Sequence, residues 1–423
     1  MSKTENFVNP NVLPSFFKDL KIIGPASLQI PKYRELHANL EKASLTSPNC
    51  LFAAEGTPML ISNQTVKGYY QNNNFDAIRA LEKQANDDLQ SVYTNIQTNG
   101  INAWTLVESA GQQFYISYSD TGVVWVQTIS GPVLVKADDS GDTSYSLVVQ
   151  FGTYSPSAKV AGVHSYNITV PSLITEAAIA LIVAMALSEV VAEGLGFLVA
   201  GLSLLLTEAA VDIGLESFSF AIAASTLSAV AVGLVFVVVF IGLFFLWDWV
   251  NQKYTIRLQI FNWDTVNSWN ANGQNYSNAK ICGNEQSLNF KLPPYSSCNP
   301  LPPWLHNITP LDMVCSYAQI IWENDNTFLE GCSMAIQMQK NALSEGFTWA
   351  FDCPRFDDNK QAAIDGLFDL ADYRANPPWS YSPLRLQVNC TETSIPVSFS
   401  LSALSGASDG LYNVLIHINQ CLV

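Results

Sequence analysis

Positive charge is scarce in this chain. The 423 residues carry 20 Lys and Arg against 36 Asp and Glu, for a net charge of −16. Charged residues make up 13% of the chain, well below the ~25% of an ordinary soluble protein. A chain this poor in cations lacks the basic face that phosphates require, which excludes a nucleic-acid partner. Its 48% hydrophobic content excludes an intrinsically disordered chain. Histidine is also rare, at four residues (His37, His164, His306 and His417), and no two of the eight cysteines have CxxC spacing. No structural metal is expected from such a donor set. Phosphate-binding and dinucleotide-binding glycine motifs are absent, and no repeat recurs at a fixed period. Gly406-Ala407-Ser408-Asp409-Gly410 matches the G-x-S-x-G pattern, but strand-like runs lie on both sides of it. A nucleophile elbow needs a helix to follow, so the pattern reads as a hairpin turn. The chain is therefore read as a non-enzyme without cofactor.

The missing cations define one region. No Lys or Arg occurs between Lys159 and Lys253. Within this gap Ser217 to Trp247 is 31 residues with no formal charge. As a helix it would extend ~46 Å, against a hydrocarbon core of ~30 Å. The first half of the gap is apolar but punctuated by Glu189 and Glu193, then by Glu208, Asp212 and Glu216, at intervals of four. That spacing keeps each acidic set on one helical face. Asp212-Ile213-Gly214 offers a break, so residues 171–250 are expected to form a hydrophobic helical hairpin. Its membrane-inserting side chains would include Leu181, Leu198, Leu204, Val230, Val235, Phe240, Phe244 and Trp247. Glu189, Glu193, Glu208, Asp212 and Glu216 would act as a pH trigger or line a pore, because burial disfavours their charged form.

A length prior of ~150 residues per domain suggests about three domains. Residues 1–101 read as mainly helical, with the apolar spacing of Phe75, Ile78, Leu81, Ala85, Leu89, Val92 and Ile96 predicting an amphipathic helix over 74–97. Residues 102–170 switch to short β-branched and aromatic runs separated by turn residues, an antiparallel β-meander. Residues 251–423 return to alternating runs joined by Pro- and Asn-rich loops and hold seven of the eight cysteines. They are expected to form a β-sandwich with a disulfide framework. The expected class is thus α+β: N-terminal helices, a meander, a long apolar helical hairpin and a Cys-containing sandwich. Trp263, Trp269, Trp304 and Trp379 lie in polar or Pro-rich loops of that last part. Such tryptophans fill cores, or stack on sugars and settle at membrane interfaces, so they are candidate target-binding residues.

No secretory signal opens the chain, which predicts a cytoplasmic product or release by another route. Five Asn-x-Ser/Thr triplets occur, at Asn63, Asn167, Asn275, Asn307 and Asn389. The organisation around 171–250 resembles helical-hairpin pore-forming toxins, in which a soluble chain carries a long uncharged hairpin between binding domains. The resemblance implies homo-oligomerisation and α-helical insertion into a target membrane, with membrane lipid and a glycan or receptor as partners. An integral membrane protein with two folded domains is the alternative. Lys253 and Arg257 after the apolar run would then place the C-terminal side in the cytoplasm, whereas cysteines and sequons would place it outside. A soluble glycan-binding protein with an oversized core is a further alternative.

Overall fold

The computed structural model describes residues 13–26, 58–135, 144–171, 255–281, 291–295, 301–305, 312–324, 331–341, 343–354, 356–379, 384–390, 394–407 and 410–422. Eighteen strands run in chain order: β1 Lys21–Pro25, β2 Pro58–Ser62, β3 Thr105–Ser109, β4 Gln112–Tyr118, β5 Val123–Val135, β6 Ser144–Ser155, β7 Val160–Pro171, β8 Thr255–Asn262, β9 Trp269–Ser277, β10 Ala279–Ile281, β11 Lys291–Leu292, β12 Asp312–Asn324, β13 Cys332–Lys340, β14 Gly346–Cys353, β15 Lys360–Asp365, β16 Arg385–Cys390, β17 Ile395–Leu401 and β18 Leu411–Ile418. Helices α1 Gln64–Gln71, α2 Phe75–Asn99 and α3 Leu370–Ala375 accompany them.

The strands form two sheets. Thirteen join the main sheet, ordered β1-β3-β4-β5-β6-β7-β2-β12-β8-β18-β17-β16, with β10 added against β12. Five form a smaller sheet, β11-β9-β13-β14-β15. Every pairing is antiparallel except β8 with β18. The main sheet draws strands from both sides of the apolar run, because β2 from the N-terminal part pairs β12 from the C-terminal part.

The smaller sheet covers one face of β8, β18 and β17. Ile256, Leu258, Ile260, Val414, Ile416, Val397 and Phe399 pack there against Ile336, Met338, Phe347, Trp349 and Phe351. Alternation puts these apolar residues on one face of each strand. The other face of β8 and β18 receives α1 and α2, through Val66, Tyr70, Ile78, Leu81 and Ala85 against Phe261 and Leu415. The α2 residues recur at helical spacing and are buried, as the sequence periodicity predicts for 74–97. Helix α1 starts where the Asn63 side chain accepts the Val66 N–H at 2.9 Å. Between α1 and α2 Asn73 adopts φ +53°, a left-handed conformation that asparagine tolerates and that ends a helix. A third core fills the N-terminal strands, where Phe114 and Trp125 meet Trp304 edge to face, with centroids 5.6 and 5.7 Å apart.

These observations correct the expected fold class. The described residues are mainly antiparallel β-sheet, not an α+β arrangement around a helical hairpin. Among them no helix is long and apolar enough to cross a membrane. The resemblance to helical-hairpin pore-forming toxins therefore fails, and with it the helix-based pore-forming and cytolytic reading that followed from it; no described segment is a transmembrane helix. Of residues 171–250, where the hairpin is expected, 172–250 lie outside the described residues. The C-terminal sheets do face each other, but not as a self-contained sandwich, since one continues into the N-terminal strands. The disulfide framework is also corrected: among the described residues Cys332, Cys353 and Cys421 are free thiols.

Candidate functional site

Strand register fixes where the chain leaves the body for the apolar run. Val163 of β7 pairs Met59, Met59 pairs Ser316 of β12, and Ser316 pairs Asn262 of β8. From that row β7 runs on to Pro171, β12 runs in the same direction to Asn324, and β8 returns to Thr255 opposite Glu323. Pro171 and Thr255 therefore sit at the same end of the main sheet. At the row of Val163, Met59, Ser316 and Asn262, three strand spacings of ~4.8 Å put β7 ~15 Å from β8 across the sheet. The end of β5 and the start of β6 lie at this end too, since Val135 pairs Ser144 and Ser144 pairs Pro171.

Buried polar contacts fasten the helices to the main sheet. The Arg257 guanidinium grips the Glu82 carboxylate of α2 with both terminal nitrogens, Nη1 donating to Oε2 at 2.8 Å. Arg257 is thus a buried clamp within the fold rather than a loop cation beside a membrane segment, which withdraws it from the charge argument on topology. With Cys332, Cys353 and Cys421 as free thiols, the opposing cysteine argument weakens as well.

His417 on β18 is fully buried between two partners. Its Nδ1 accepts the Trp263 Nε1–H at 3.0 Å, and its Nε2 lies 3.0 Å from Asn73 Oδ1. Accepting at Nδ1 leaves the proton on Nε2, which then donates to Asn73. Burial pushes the imidazole pKa down to about 3, so the ring is neutral. Asp88 of α2 accepts from Ser155 Oγ at 2.6 Å and from the Ser157 amide at 3.1 Å, tying the helix to the β6–β7 turn.

The outer face of the smaller sheet carries a second constellation. Register places Asn275, Ala335, Ala350 and Ala362 in one row. Ser277, Ser333, Asp352 and Lys360 form the next row on the same face, ~7 Å along. Alanines leave room for α3, whose N-terminus is capped by Asp369 accepting the Asp372 N–H at 2.9 Å. Tyr373 lies on this alanine floor with Leu370, Ile364 and Trp379 around it. Its ring stacks on Phe368 with centroids 6.0 Å apart. From the same helix Arg374 reaches down the sheet, donating Nη1 to Ser333 Oγ at 2.9 Å and Nε to Asn275 Oδ1. Burial raises the Asp352 carboxyl pKa, a shift that Lys360 and Arg374 counter and Asp357 reinforces.

The four tryptophans proposed from sequence do not converge. Trp269 and Trp304 are fully buried in two different cores, and Trp263 is buried against His417. Trp379 alone of the four is half-exposed, at the edge of the α3 cluster. The residues named for membrane insertion, Leu181 to Trp247, and the carboxylates Glu189 to Glu216 all lie outside the described residues. Cys332 and Cys353 oppose each other across β13 and β14 and are buried. A hydrogen bond to Cys353 and burial push the Cys332 thiol up, and burial takes Cys390 to about 12, so neither is poised as a thiolate. Among the described residues no group of three His, Cys, Asp or Glu side chains is placed to hold a metal. The G-x-S-x-G stretch joins β17 to its antiparallel neighbour β18, with Gly406 and Gly410 at positive φ. Asn275, Ser333, Asp352, Tyr373 and Arg374 escaped sequence reasoning, because they come from four elements up to 99 positions apart.

No family model and no curated protein matches the chain. Among solved structures, the crystal structure of IP-1A from Alcaligenes faecalis is similar over 41% of this chain and 96% of its own, at 12% identity and a TM-score of 0.20. A likeness that low carries no argument about fold or function.

Proposed function

We propose that this protein is held in a membrane through the apolar run between β7 and β8, with its entire β-rich body on one side of the bilayer. The observation that carries this reading is the shared exit, with Pro171 and Thr255 at one end of one sheet. A chain that leaves and re-enters a single rigid body at one end crosses a bilayer an even number of times, so the flanks are not divided by it. The sequence supplies the other support, since Ser217 to Trp247 is uncharged and no Lys or Arg lies between Lys159 and Lys253. The ion pair of Arg257 with Glu82 takes one of the two cations, though not Lys253, out of the charge count raised against such an arrangement.

Fractionation of the full chain tests the reading. The protein is expected in the membrane pellet, resistant to high salt and alkaline carbonate and released by detergent. Tags at the two termini are expected to show the same protease accessibility on sealed vesicles. Replacing residues 172–254 by a Gly/Ser linker of about twenty residues, long enough to join the two strand ends without strain, should give a soluble β-rich protein. Full-length protein in the supernatant without detergent, or termini on opposite sides, would overturn the proposal.

A further inference from the structure

We propose that the outer face of the five-stranded sheet, beside α3, binds a neutral carbohydrate. Two kinds of group meet there. Trp379 is half-exposed, Phe368 is 44% exposed, and both flank Tyr373. Exposed aromatic faces of this kind accept the C–H faces of a sugar ring. Within two residues along the strands lies a fixed polar row of Ser333, Asp352 and Lys360, with Arg374 reaching into it. Arg374 donates its hydrogen bonds to neutral acceptors, Asn275 Oδ1 and Ser333 Oγ, while its charge also acts on the neighbouring Asp352. Its second terminal nitrogen has no partner among the described residues and remains a donor.

The Tyr373 hydroxyl points the same way. Tyr373 is 7% exposed, and its hydroxyl has no hydrogen-bond partner among the described residues. A buried hydroxyl in that condition calls for a ligand group or a water beside it. Burial also raises the phenol pKa, which keeps it a neutral donor. The charges around the face balance, with Lys360 and Arg374 against Asp352 and Asp357. Balance argues against a phosphate or sulfate and for a ligand that offers many hydroxyls and no net charge. Asp352 would accept a pair of those hydroxyls, and Arg374 would donate to ring or hydroxyl oxygens.

The inference rests on described side chains and stands apart from the membrane reading. The test uses the full chain, in detergent if detergent is needed, on a glycan array and by saturation-transfer NMR with the array's hits. At least one neutral saccharide is expected to bind. Trp379→Ala and Asp352→Asn should each weaken it about tenfold or more, and Tyr373→Phe, which removes only the hydroxyl, should weaken it several-fold. Val266→Ala, at an exposed tip at the opposite end of the sheet, should leave it unchanged. No saccharide bound, binding restricted to sulfated or phosphorylated compounds, or affinity unaltered in both Trp379→Ala and Asp352→Asn with circular dichroism intact would each overturn the proposal.

Discussion

The two faces of β8, β18 and β17 are both buried, yet they are built in opposite ways. The face toward the smaller sheet is wholly apolar, with Ile256, Leu258, Val414, Ile416, Val397 and Phe399. The face toward α1 and α2 carries Arg257, Gln259, His417, Ser398 and Ser400, each no more than 3% exposed. Apolar burial is non-directional and fixes two sheets only to the extent that side chains interlock. Ion pairs and hydrogen bonds are directional, so Glu82–Arg257 and Asn73–His417–Trp263 set where the helices sit on the sheet. The side toward the smaller sheet supplies cohesion alone, whereas the helical side adds position to the apolar packing on Phe261 and Leu415.

The largest effects should come from breaking the two layers one at a time. Arg257→Ala leaves Glu82 buried without its partner, which costs about 3–5 kcal/mol. Replacing both residues with apolar ones of similar volume, Arg257→Met with Glu82→Leu, should recover most of that loss. Leu258→Ala, the next residue on the same strand, opens a cavity on the apolar face and should cost about 2–5 kcal/mol, with no partner change that restores it. Urea unfolding of the four proteins decides the matter. A double variant as unstable as Arg257→Ala would mean that the clamp stabilises the helices as well as positioning them.

The alternation that makes β8 legible also misleads about it. Ile256, Leu258 and Ile260 on one side and Arg257 and Gln259 on the other suggest a strand with one wet face, whereas all eight residues are buried. A pattern of polar and apolar residues reports chemistry, and only tertiary context reports whether polar means solvated. Helix α2 was readable because its apolar stripe is local, and the alternating runs of 251–423 announced strands for the same reason. By contrast, β2 holds the two halves of the main sheet together with only five residues, and its partners β7 and β12 are about 100 and 250 positions away. Nothing local could announce that pairing. The apolar run misled in a further way, since its composition drew the expected architecture toward helices while the described body is built from strands. Of the α3 cluster only Trp379 stood out in sequence, through its Pro-Pro-Trp setting. Asp352 and Arg374 gain meaning from Lys360 and Ser333, which the sheet brings beside them.

His417 offers a smaller test of the polar layer, through pH. An unfolded histidine titrates near ~6.5, whereas burial holds the native imidazole near about 3. The native pKa lies below the unfolded one, so below ~6.5 the unfolded chain binds a proton that the native protein does not. Stability contributed by this group is complete above ~6.5 and is lost as pH falls toward 3, at about 1.4 kcal/mol per pH unit. His417→Gln retains an acceptor for Trp263 and a donor for Asn73 but cannot take up a proton. Urea midpoints measured from pH 7.5 to 4 should fall more steeply for the parent protein than for this variant. Parallel curves would show that the imidazole is not held neutral by its surroundings.

The smallest expected effect comes from the end of a helix rather than its face. Asn63 caps α1 by accepting the Val66 N–H, and Asn63→Ala should cost about 1 kcal/mol. If α1 and α2 are positioned chiefly by their buried partners on the sheet, that loss stays local. Denaturant sensitivity of the transition should then be unchanged, and the cost should add to that of His417→Gln within about 0.5 kcal/mol, because the cap shares no partner with His417. A penalty near that of Arg257→Ala, or strong coupling between Asn63 and His417, would mean that the helical layer is held from its N-terminus. The division between a cohesive face and a positioning face would then misplace the contact that matters, since the cap lies on the short link from β2 into α1 and on neither face.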